Sequence, residues 1–392
     1  MIKTCESCLA CGSSDLHIFY SVSGVPVNSV LLLPSRERAA AFAVGDIRLK
    51  RCDSCGFVFN ASFDQASTEY SGQYESTQAF SPTFVRFSEE LARELIERHD
   101  IRDKTILEIG CGDGDFLRQL CTLGRNRGIG YDPAFAPGRH RASEDITFIP
   151  EFFTRSSRNH DANLVVCKMT LEHIHDVGTF VADLRQSLEG SPETVVFFQV
   201  PNSRYVFGGL AFWDVYYEHC SYFSELSLSA LFVRSGFDVI RTWTGYDDQY
   251  LMLEARPSNA THPAAPVCAE TVDDIRRETD HFGSQVDTRM DEWRERVVTY
   301  NSAGKRVALW GAGSKAVAFL AALGPTARID LTVDINPNKA GTFLPGSAHE
   351  IVAPASLVEA PPDVVIVMNP IYLDEIRRDL GELGLGPEVL TV

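Results

Sequence analysis

Residues 106–115 run Ile106-Leu-Glu108-Ile-Gly110-Cys-Gly112-Asp-Gly114-Asp115. An apolar strand passes into three alternating glycines, and a helix begins directly after them. Glycines at this spacing let the backbone turn sharply and approach a ligand, and a helix N-terminus adds unpaired N–H groups. A lone Gly-x-Gly is common to many nucleotide-binding folds. Two acids narrow it. Glu108 precedes the first glycine, where it can stay near a ligand's amino-acid end. Asp132 ends the next strand, about 20 residues on, where an acid hydrogen-bonds ribose hydroxyls.

Around this turn, residues 67–258 alternate helix and strand signals as a parallel sheet requires. Phe84–His99 carries Phe84, Phe87, Leu91 and Leu95 at helical spacing. Thr105–Ile109, Gly128–Tyr131, Ile146–Ile149, Asn163–Lys168 and Thr194–Val200 have the pattern of strands. Helices are expected over Asp115–Leu123, Thr179–Leu188 and Leu226–Ser235, and a terminal hairpin over Phe237–Trp243 and Gln249–Glu254. The fold class is α/β, with a doubly wound sheet.

Residues 1–66 make a cysteine module. Cys8-Leu-Ala-Cys11-Gly12 and Cys52-Asp-Ser-Cys55-Gly56 are two C-x-x-C-G units, and four thiolates suit a tetrahedral structural Zn²⁺. Cys5 lies three residues before Cys8 and competes as a ligand, but only Cys8/Cys11 carries the trailing glycine. Leu16–Lys50, between the knuckles, is expected to form strands or a hairpin. A closed four-thiolate site leaves no open position, so it is expected to serve stability, and its loss to leave the chemistry directly untouched.

Residues 259–392 follow a linker by composition, Ala255–Pro266. A charged helix over Ala269–Asn301 carries Arg276, Glu278, Arg289, Glu292 and Arg294 and is expected to pack on the middle segment with a solvated face. The strand Lys305–Trp310, the turn Gly311-Ala-Gly313 and the helix Ser314–Leu323 repeat the strand–turn–helix pattern; Asp330–Asp334 and Asp363–Met368 supply further strands. This is a second, smaller Rossmann-like domain. Gly313 and Lys315 at a helix N-terminus are placed to bind a substrate phosphate. Asp334 stands where a ribose-binding acid would, which permits NAD.

The 392 residues carry 36 basic and 53 acidic side chains, a net charge of -17. That argues against nucleic-acid binding, which needs a positive face. It leaves room for a small phosphorylated acceptor, which needs only local cations and N–H groups. No apolar run approaches membrane-spanning length. The start Met-Ile-Lys-Thr-Cys5 lacks a signal pattern, and the ten cysteines are clustered or scattered through core segments, so a cytoplasmic, disulfide-free protein is expected.

On Glu108–Gly114, Asp132 and Val165-Val-Cys-Lys-Met-Thr-Leu171-Glu172-His173-Ile-His175-Asp176, the chain resembles the class I S-adenosylmethionine (SAM)-dependent methyltransferases, with their Rossmann-like sheet. The resemblance implies a SAM site built from Glu108, Gly110, Gly112, Gly114 and Asp132, with Leu171 and His173 placing the cofactor and Phe152 near the adenine. The order of a zinc-binding N-terminus, a SAM domain and a Rossmann-like C-terminus further resembles the sugar C-methyltransferases acting on nucleotide-linked deoxysugars. That likeness is carried by Tyr216-Tyr-Glu218-His219-Cys-Ser-Tyr222-Phe-Ser224 and by Asp334-Ile-Asn-Pro-Asn-Lys339-Ala-Gly341 with Pro345-Gly346. It implies that Glu218 and His219 lie beside the substrate, with His219 as general base. It also implies that the stretch containing Tyr70, Tyr74, Gln78 and Ser81 closes over the cofactor, Tyr74 foremost, and that the C-terminal domain holds a nucleotide-sugar and not NAD.

The chemistry suits those residues. Methylating carbon beside a ketone requires removing an acidic C–H, and a histidine titrating near neutrality can take that proton. Tyr216, Glu218 and Tyr222 could orient the imidazole or meet the developing oxyanion. The chain departs from the sugar family at Tyr246-Asp-Asp-Gln-Tyr250, where many members carry a His-Gly-Gly-Ser-Leu-Arg-like stretch. The acceptor therefore stays open, and O-methylation of a sugar hydroxyl is the nearest alternative. An NAD(P)-dependent reductase and a non-catalytic zinc scaffold are more distant ones.

Overall fold

The computed structural model describes residues 5–68, 74–75, 77–135, 144–157, 160–259 and 268–392. Tyr70 and residues 260–266 of the linker lie outside the described residues. Among those described, no helix is long and apolar enough to cross a membrane.

The N-terminal module contains β1 (Leu16–Pro26), α1 (Arg36–Ala40), β2 (Val44–Cys52) and β3 (Val58–Asn60). The expected hairpin is present: β1 and β2 pair antiparallel from Leu16↔Cys52 to Pro26↔Val44. The middle of the chain contains α2 (Pro82–His99), β4 (Thr105–Ile109), α3 (Asp115–Gly124), β5 (Arg127–Tyr131), β6 (Ile146–Ile149), β7 (Leu164–Lys168), α4 (Val177–Ser187), β8 (Val195–Pro201) and α5 (Ser203–Gly208). It continues through β9 (Ser221–Tyr222), α6 (Glu225–Arg234), β10 (Phe237–Gly245) and β11 (Tyr250–Pro257). The α2 helix begins where Ser81 caps it, its Oγ accepting the Phe84 N–H at 3.2 Å, with Pro82 in the first turn, where its missing N–H costs nothing.

These strands form a seven-stranded sheet in the order β10-β11-β8-β7-β4-β5-β6. All neighbours in β8-β7-β4-β5-β6 run parallel, and β11 is inserted antiparallel between β8 and β10. Because β7 is buried on both faces, it is apolar throughout until Lys168 at its carboxyl end. The strand order reverses between β4 and β7, so a crevice opens outside their carboxyl ends.

The C-terminal part contains α7 (Val272–Ser302), β12 (Val307–Trp310), α8 (Ser314–Leu323), β13 (Leu331–Val333), β14 (Ile351–Val352), β15 (Val364–Val367), α9 (Leu373–Glu382) and β16 (Glu388–Thr391). Its sheet, β14-β13-β12-β15-β16, is wholly parallel and reverses at β12, a second Rossmann-like layer.

The three segments are less separate than their sequences suggest. β9 leaves the middle segment and pairs antiparallel with β3, so that the four-stranded N-terminal sheet reads β1-β2-β3-β9. The α7 helix does not pack on the middle segment alone. Its Phe282 meets Tyr20 of β1 and Phe207 of α5 edge-on, both at 5.3 Å, while Trp293 packs on Phe319 of α8 at 5.5 Å. One apolar core therefore runs from the N-terminal module through α7 into the C-terminal sheet. Of the charged residues named for this helix, three reach neighbouring elements: Glu278 meets Arg204 of α5 at 2.9 Å, Arg276 lies 3.6 Å from Asp53, and Arg294 donates to the Leu323 and Ala322 carbonyls at 3.1 and 2.8 Å.

Candidate active site

A cavity of about 730 Å³ lies between the carboxyl edge of the middle sheet and the C-terminal domain. Its floor is the glycine turn. Gly110 has φ +71, and a Cβ there would sit 2.0 Å from Thr170 Oγ1 on the neighbouring strand's exit, so only glycine fits. Gly112 lines the cavity, and its N–H donates to Asp132 Oδ2 at 2.8 Å; Asp132 Oδ1 accepts the Ala134 N–H at 2.8 Å. Burial raises the Asp132 carboxyl above its ordinary range against those two donors.

Glu108, the penultimate residue of β4, lines the cavity, and its Oε2 is buried with no hydrogen-bond partner among the described residues. Burial pushes its carboxyl up to about 8, while the Lys168 ammonium pulls the other way. Lys168 closes β7 with its ammonium 4.9 Å from the Phe84 ring centre and 5.3 Å from that of Phe116. An acid with a spare oxygen beside a glycine turn fits the ammonium of an amino-acid-bearing nucleoside such as SAM. At the outer wall Phe152 is 57% exposed, a ring left uncovered by protein, whereas Phe153 packs edge-on against Tyr131 at 5.5 Å.

The opposite wall comes from residues 214–219. Tyr216 Oη lies 2.7 Å from His219 Nε2, and their rings are 4.0 Å apart. His219 is buried, and desolvation holds its pKa well below the usual value, with His173 and Lys315 acting in the same direction. It is therefore a neutral imidazole. His173 is fixed by Nδ1 donating to the Glu218 carbonyl at 3.0 Å, and burial lowers its pKa to about 4. Glu218 turns away from the imidazole. Its Oε2 accepts the Ser29 N–H at 2.7 Å and the Ser29 hydroxyl, and Ser29 Oγ in turn lies 2.7 Å from Ser314 Oγ of α8. Glu218 thus ties the N-terminal module, the His219 loop and the C-terminal domain at one point. Burial lifts its carboxyl to about 7, with the hydroxyls of Ser29 and Tyr74 holding it down.

The roof comes from the C-terminal domain and from residues 74–81. Lys315 Nζ contacts Asp214 at 2.5 Å, and Gly313 and Ser314 open onto the cavity at the start of α8. Glu75 accepts from Asn336 Nδ2 at 3.1 Å and Asn338 Nδ2 at 3.0 Å, and Ser81 Oγ donates to Glu375 at 2.9 Å. Gln249 Nε2, in the stretch that departs from the sugar family, donates to Asn369 Oδ1 at 2.9 Å. Asp334, the acid that permitted NAD, is consumed locally: it accepts the Ala312 and Asn336 N–H groups, both at 2.9 Å, and pairs with Lys339 at 3.0 Å.

Apart from the cavity, Cys8, Cys11, Cys52 and Cys55 bring their sulfurs within 4.8 Å of one another. Cys8–Cys55 and Cys11–Cys52 are 3.7 and 3.6 Å apart. A tetrahedral ion with bonds of about 2.3 Å to sulfur needs edges of about 3.8 Å, so the four thiols fit one cation. Cys5 stands outside this group, its Sγ on the Ser7 carbonyl at 3.2 Å.

Residues 83–242 match the family described as "Methyltransferase domain", and residues 269–384 match the "C-methyltransferase C-terminal domain". The chain is 25% identical to the C-methyltransferase NovU of Streptomyces niveus, over 96% of this chain and 92% of that one. This chain is a SAM-dependent methyltransferase. Solved structures similar to the methyltransferase include the 1,6-didemethyltoxoflavin-N1-methyltransferase of Burkholderia thailandensis, at 18% identity and TM-score 0.36, over 44% of this chain and 79% of that one. Another is magnesium protoporphyrin IX methyltransferase of Synechocystis PCC 6803, at 15% identity and TM-score 0.34, over 45% and 80%.

In the methyltransferase, Tyr74, Glu108, Gly110, Gly112, Asp132, Phe152, His173, Tyr216, His219, Gly313 and Lys315 all reach the one cavity. Four of the named residues do not line it. Gly114 backs onto Phe148, which a Cβ would meet at 2.4 Å; Leu171 is fully buried in the core; Glu218 points at Ser29; and Tyr222 lies buried in the apolar core, against Phe207. Lys168, Asp214 and Glu172 line the cavity without having been singled out. A lysine ending the apolar run Val165-Val-Cys167 was the available signal for the first; the other two are brought in by tertiary contacts.

These buried groups make the stability of the ligand-free methyltransferase pH-dependent. Glu108, Glu172 and Glu218 have folded values of about 8, 8 and 7 against an ordinary 4.5, so their contribution is complete at low pH and is lost as pH rises through 7–8. His173 and His219 act oppositely, their contribution being lost as pH falls below 6.5. The two sets offset each other in mild acid, and above about pH 6.5 only the carboxyls remain. Tm measured calorimetrically is expected to decline from pH 6.5 to 8.5, about, and to decline less in Glu108→Gln; a Tm rising through that range contradicts the assignment.

Proposed function

We propose that this methyltransferase transfers the SAM methyl group to carbon beside the ketone of a nucleotide-linked deoxysugar, with His219 as the general base. The reading rests chiefly on the Tyr216–His219 pair, which opens into the same cavity as Glu108, Gly112 and Asp132. SAM, when bound, supplies an electrophilic methyl group. Glu108 holds its ammonium end, Asp132 its ribose, and Phe152 covers its adenine.

With His219 Nε2–H donating to Tyr216 Oη, the neutral ring keeps its lone pair on Nδ1, which takes the proton from the carbon flanking the acceptor ketone. Desolvation keeps the imidazole neutral and so able to accept a proton at cellular pH. It also holds the pKa well below the near-neutral value expected from sequence, so the ligand-free site holds a weaker base than a free histidine. The enolate carbon then becomes the nucleophile. Gly313 and Lys315 receive the acceptor's phosphates at the α8 N-terminus, with Lys315 exchanging Asp214 for the phosphate. Cys8, Cys11, Cys52 and Cys55 hold a structural Zn²⁺, and the protein works in the cytoplasm, where those thiols stay reduced. Asp132 and Asp334 each accept two backbone N–H groups, but among the described residues only Asp334 is also paired with a lysine, Lys339, which favours ribose binding at Asp132 and SAM over NAD.

A thermal-shift panel tests the cofactor assignment. SAM or S-adenosylhomocysteine at about 100 times its Kd stabilises by about 2.7 kcal/mol, a rise of several degrees, and NAD(P) gives none. A shift with NAD(P) and none with SAM sinks the proposal.

A further inference from the structure

We infer that Glu172 is a further catalytic residue of this site, presenting its carboxyl O–H to the acceptor oxygen on which charge builds as His219 takes the proton. This rests on the enolate reading above. Glu172 follows β7 in a tight turn, Leu171–His173, and lines the cavity while only 1% exposed. Neither of its carboxyl oxygens has a hydrogen-bond partner among the described residues. A buried carboxyl left so is costly, and one on a residue that lines a cavity is placed to meet a ligand atom.

Its distance from the base has chemical meaning. One Glu172 oxygen and one ring nitrogen each of His173 and His219 lie within 4.8 Å of one another. An acceptor whose C–H meets His219 carries its carbonyl oxygen two bonds from that carbon, a reach that the 4.8 Å span to Glu172 accommodates. The C–H electron pair becomes the C=C bond, the carbonyl π pair moves onto oxygen, and the proton goes to His219. When the enolate carbon takes the methyl group the carbonyl re-forms, and Glu172 keeps its proton throughout.

The surroundings favour the acid form. Lys168 of β7, His173 of the same turn, Tyr216 and His219 of the facing loop, Tyr250 of β11 and the Cys167 and Cys220 thiols are the titratable groups around it. Of these only Lys168 carries positive charge, and Glu108 and Asp115 draw on it as well. Burial pushes the Glu172 carboxyl up to about 8, against the pull of the Lys168 ammonium. A neutral carboxyl in an apolar site is a strong donor to an oxyanion.

The test is solvent-deuterium exchange at the carbon flanking the ketone of dTDP-4-keto-6-deoxyglucose, followed by NMR with S-adenosylhomocysteine bound. Wild-type exchange is expected to fall as pH rises through about 8. Glu172→Gln, which still donates, is expected to keep the rate within about tenfold and to lose that alkaline fall. Glu172→Ala is expected to lose about 100-fold, with its S-adenosylhomocysteine thermal shift intact as the folding control. Exchange by Glu172→Ala at the wild-type rate, beside an inert His219→Ala, overturns the Glu172 role and leaves the base in place. Absence of wild-type exchange overturns both. A second equivalent of tightly bound divalent metal, lost in Glu172→Ala, also overturns it, because the same three groups would then be ligands.

Discussion

Replacing His219 with alanine is expected to lower turnover by about 10³-fold while leaving SAM affinity nearly unchanged. The split follows from geometry. His219 lines the cavity on the loop after α5, with Tyr216 at 2.7 Å, and among the described residues no hydrogen bond joins it to the glycine turn. Its neutral imidazole has nothing to offer a bound cofactor in the ground state and everything to offer the C–H bond being broken. Removing Tyr216's hydroxyl, as Tyr216→Phe, is expected to cost about tenfold, since it frees the ring without removing the base. Titration calorimetry with SAM and initial rates with dTDP-4-keto-6-deoxyglucose provide the two readouts. An active His219→Ala enzyme contradicts the base; a variant that has also lost SAM binding places His219 at the wrong end of the cavity.

Chelation of the Zn²⁺ proposed for the four cysteines is expected to abolish activity and to unfold the N-terminal module, such sites being worth about 10 kcal/mol in small zinc-dependent folds. From sequence, that module looked remote from the chemistry. The pairing of β3 with β9 changes the expectation, because β9 begins two residues after His219. Ser29 of the same module holds Glu218, the residue just before the base. Losing the cysteine cluster therefore loosens the loop that aims the imidazole. Cys52→Ser is expected to release one equivalent of zinc, lower Tm and silence turnover, with the middle sheet still binding SAM. A metal-free, folded and active protein contradicts the structural site.

Local rules were enough for much of this. The turn Gly110–Gly114 announces itself because strand, glycines and helix are contiguous; β4 falls on the residues expected, and β5 begins one residue earlier, at Arg127. The cysteine pairs were legible because a C-x-x-C-G unit carries its ligands and its turn together. What stayed hidden depends on distant partners. A two-residue strand such as β9 has no pattern of its own, and only its β3 partner makes it one. Glu218 was placed by its neighbour His219, yet its carboxylate accepts from Ser29, 189 residues away in sequence. Glu172 looked like part of a motif that positions the cofactor; its empty hydrogen-bonding positions exist only once the loop 214–219 has folded over it.

The acceptor chemistry is tested most directly by the ¹³C NMR spectrum of the product formed from methyl-¹³C SAM and dTDP-4-keto-6-deoxyglucose. A labelled methyl bonded to ring carbon beside the ketone, with loss of that carbon's proton, is the predicted result. A labelled methyl on oxygen, with every ring C–H retained, contradicts it.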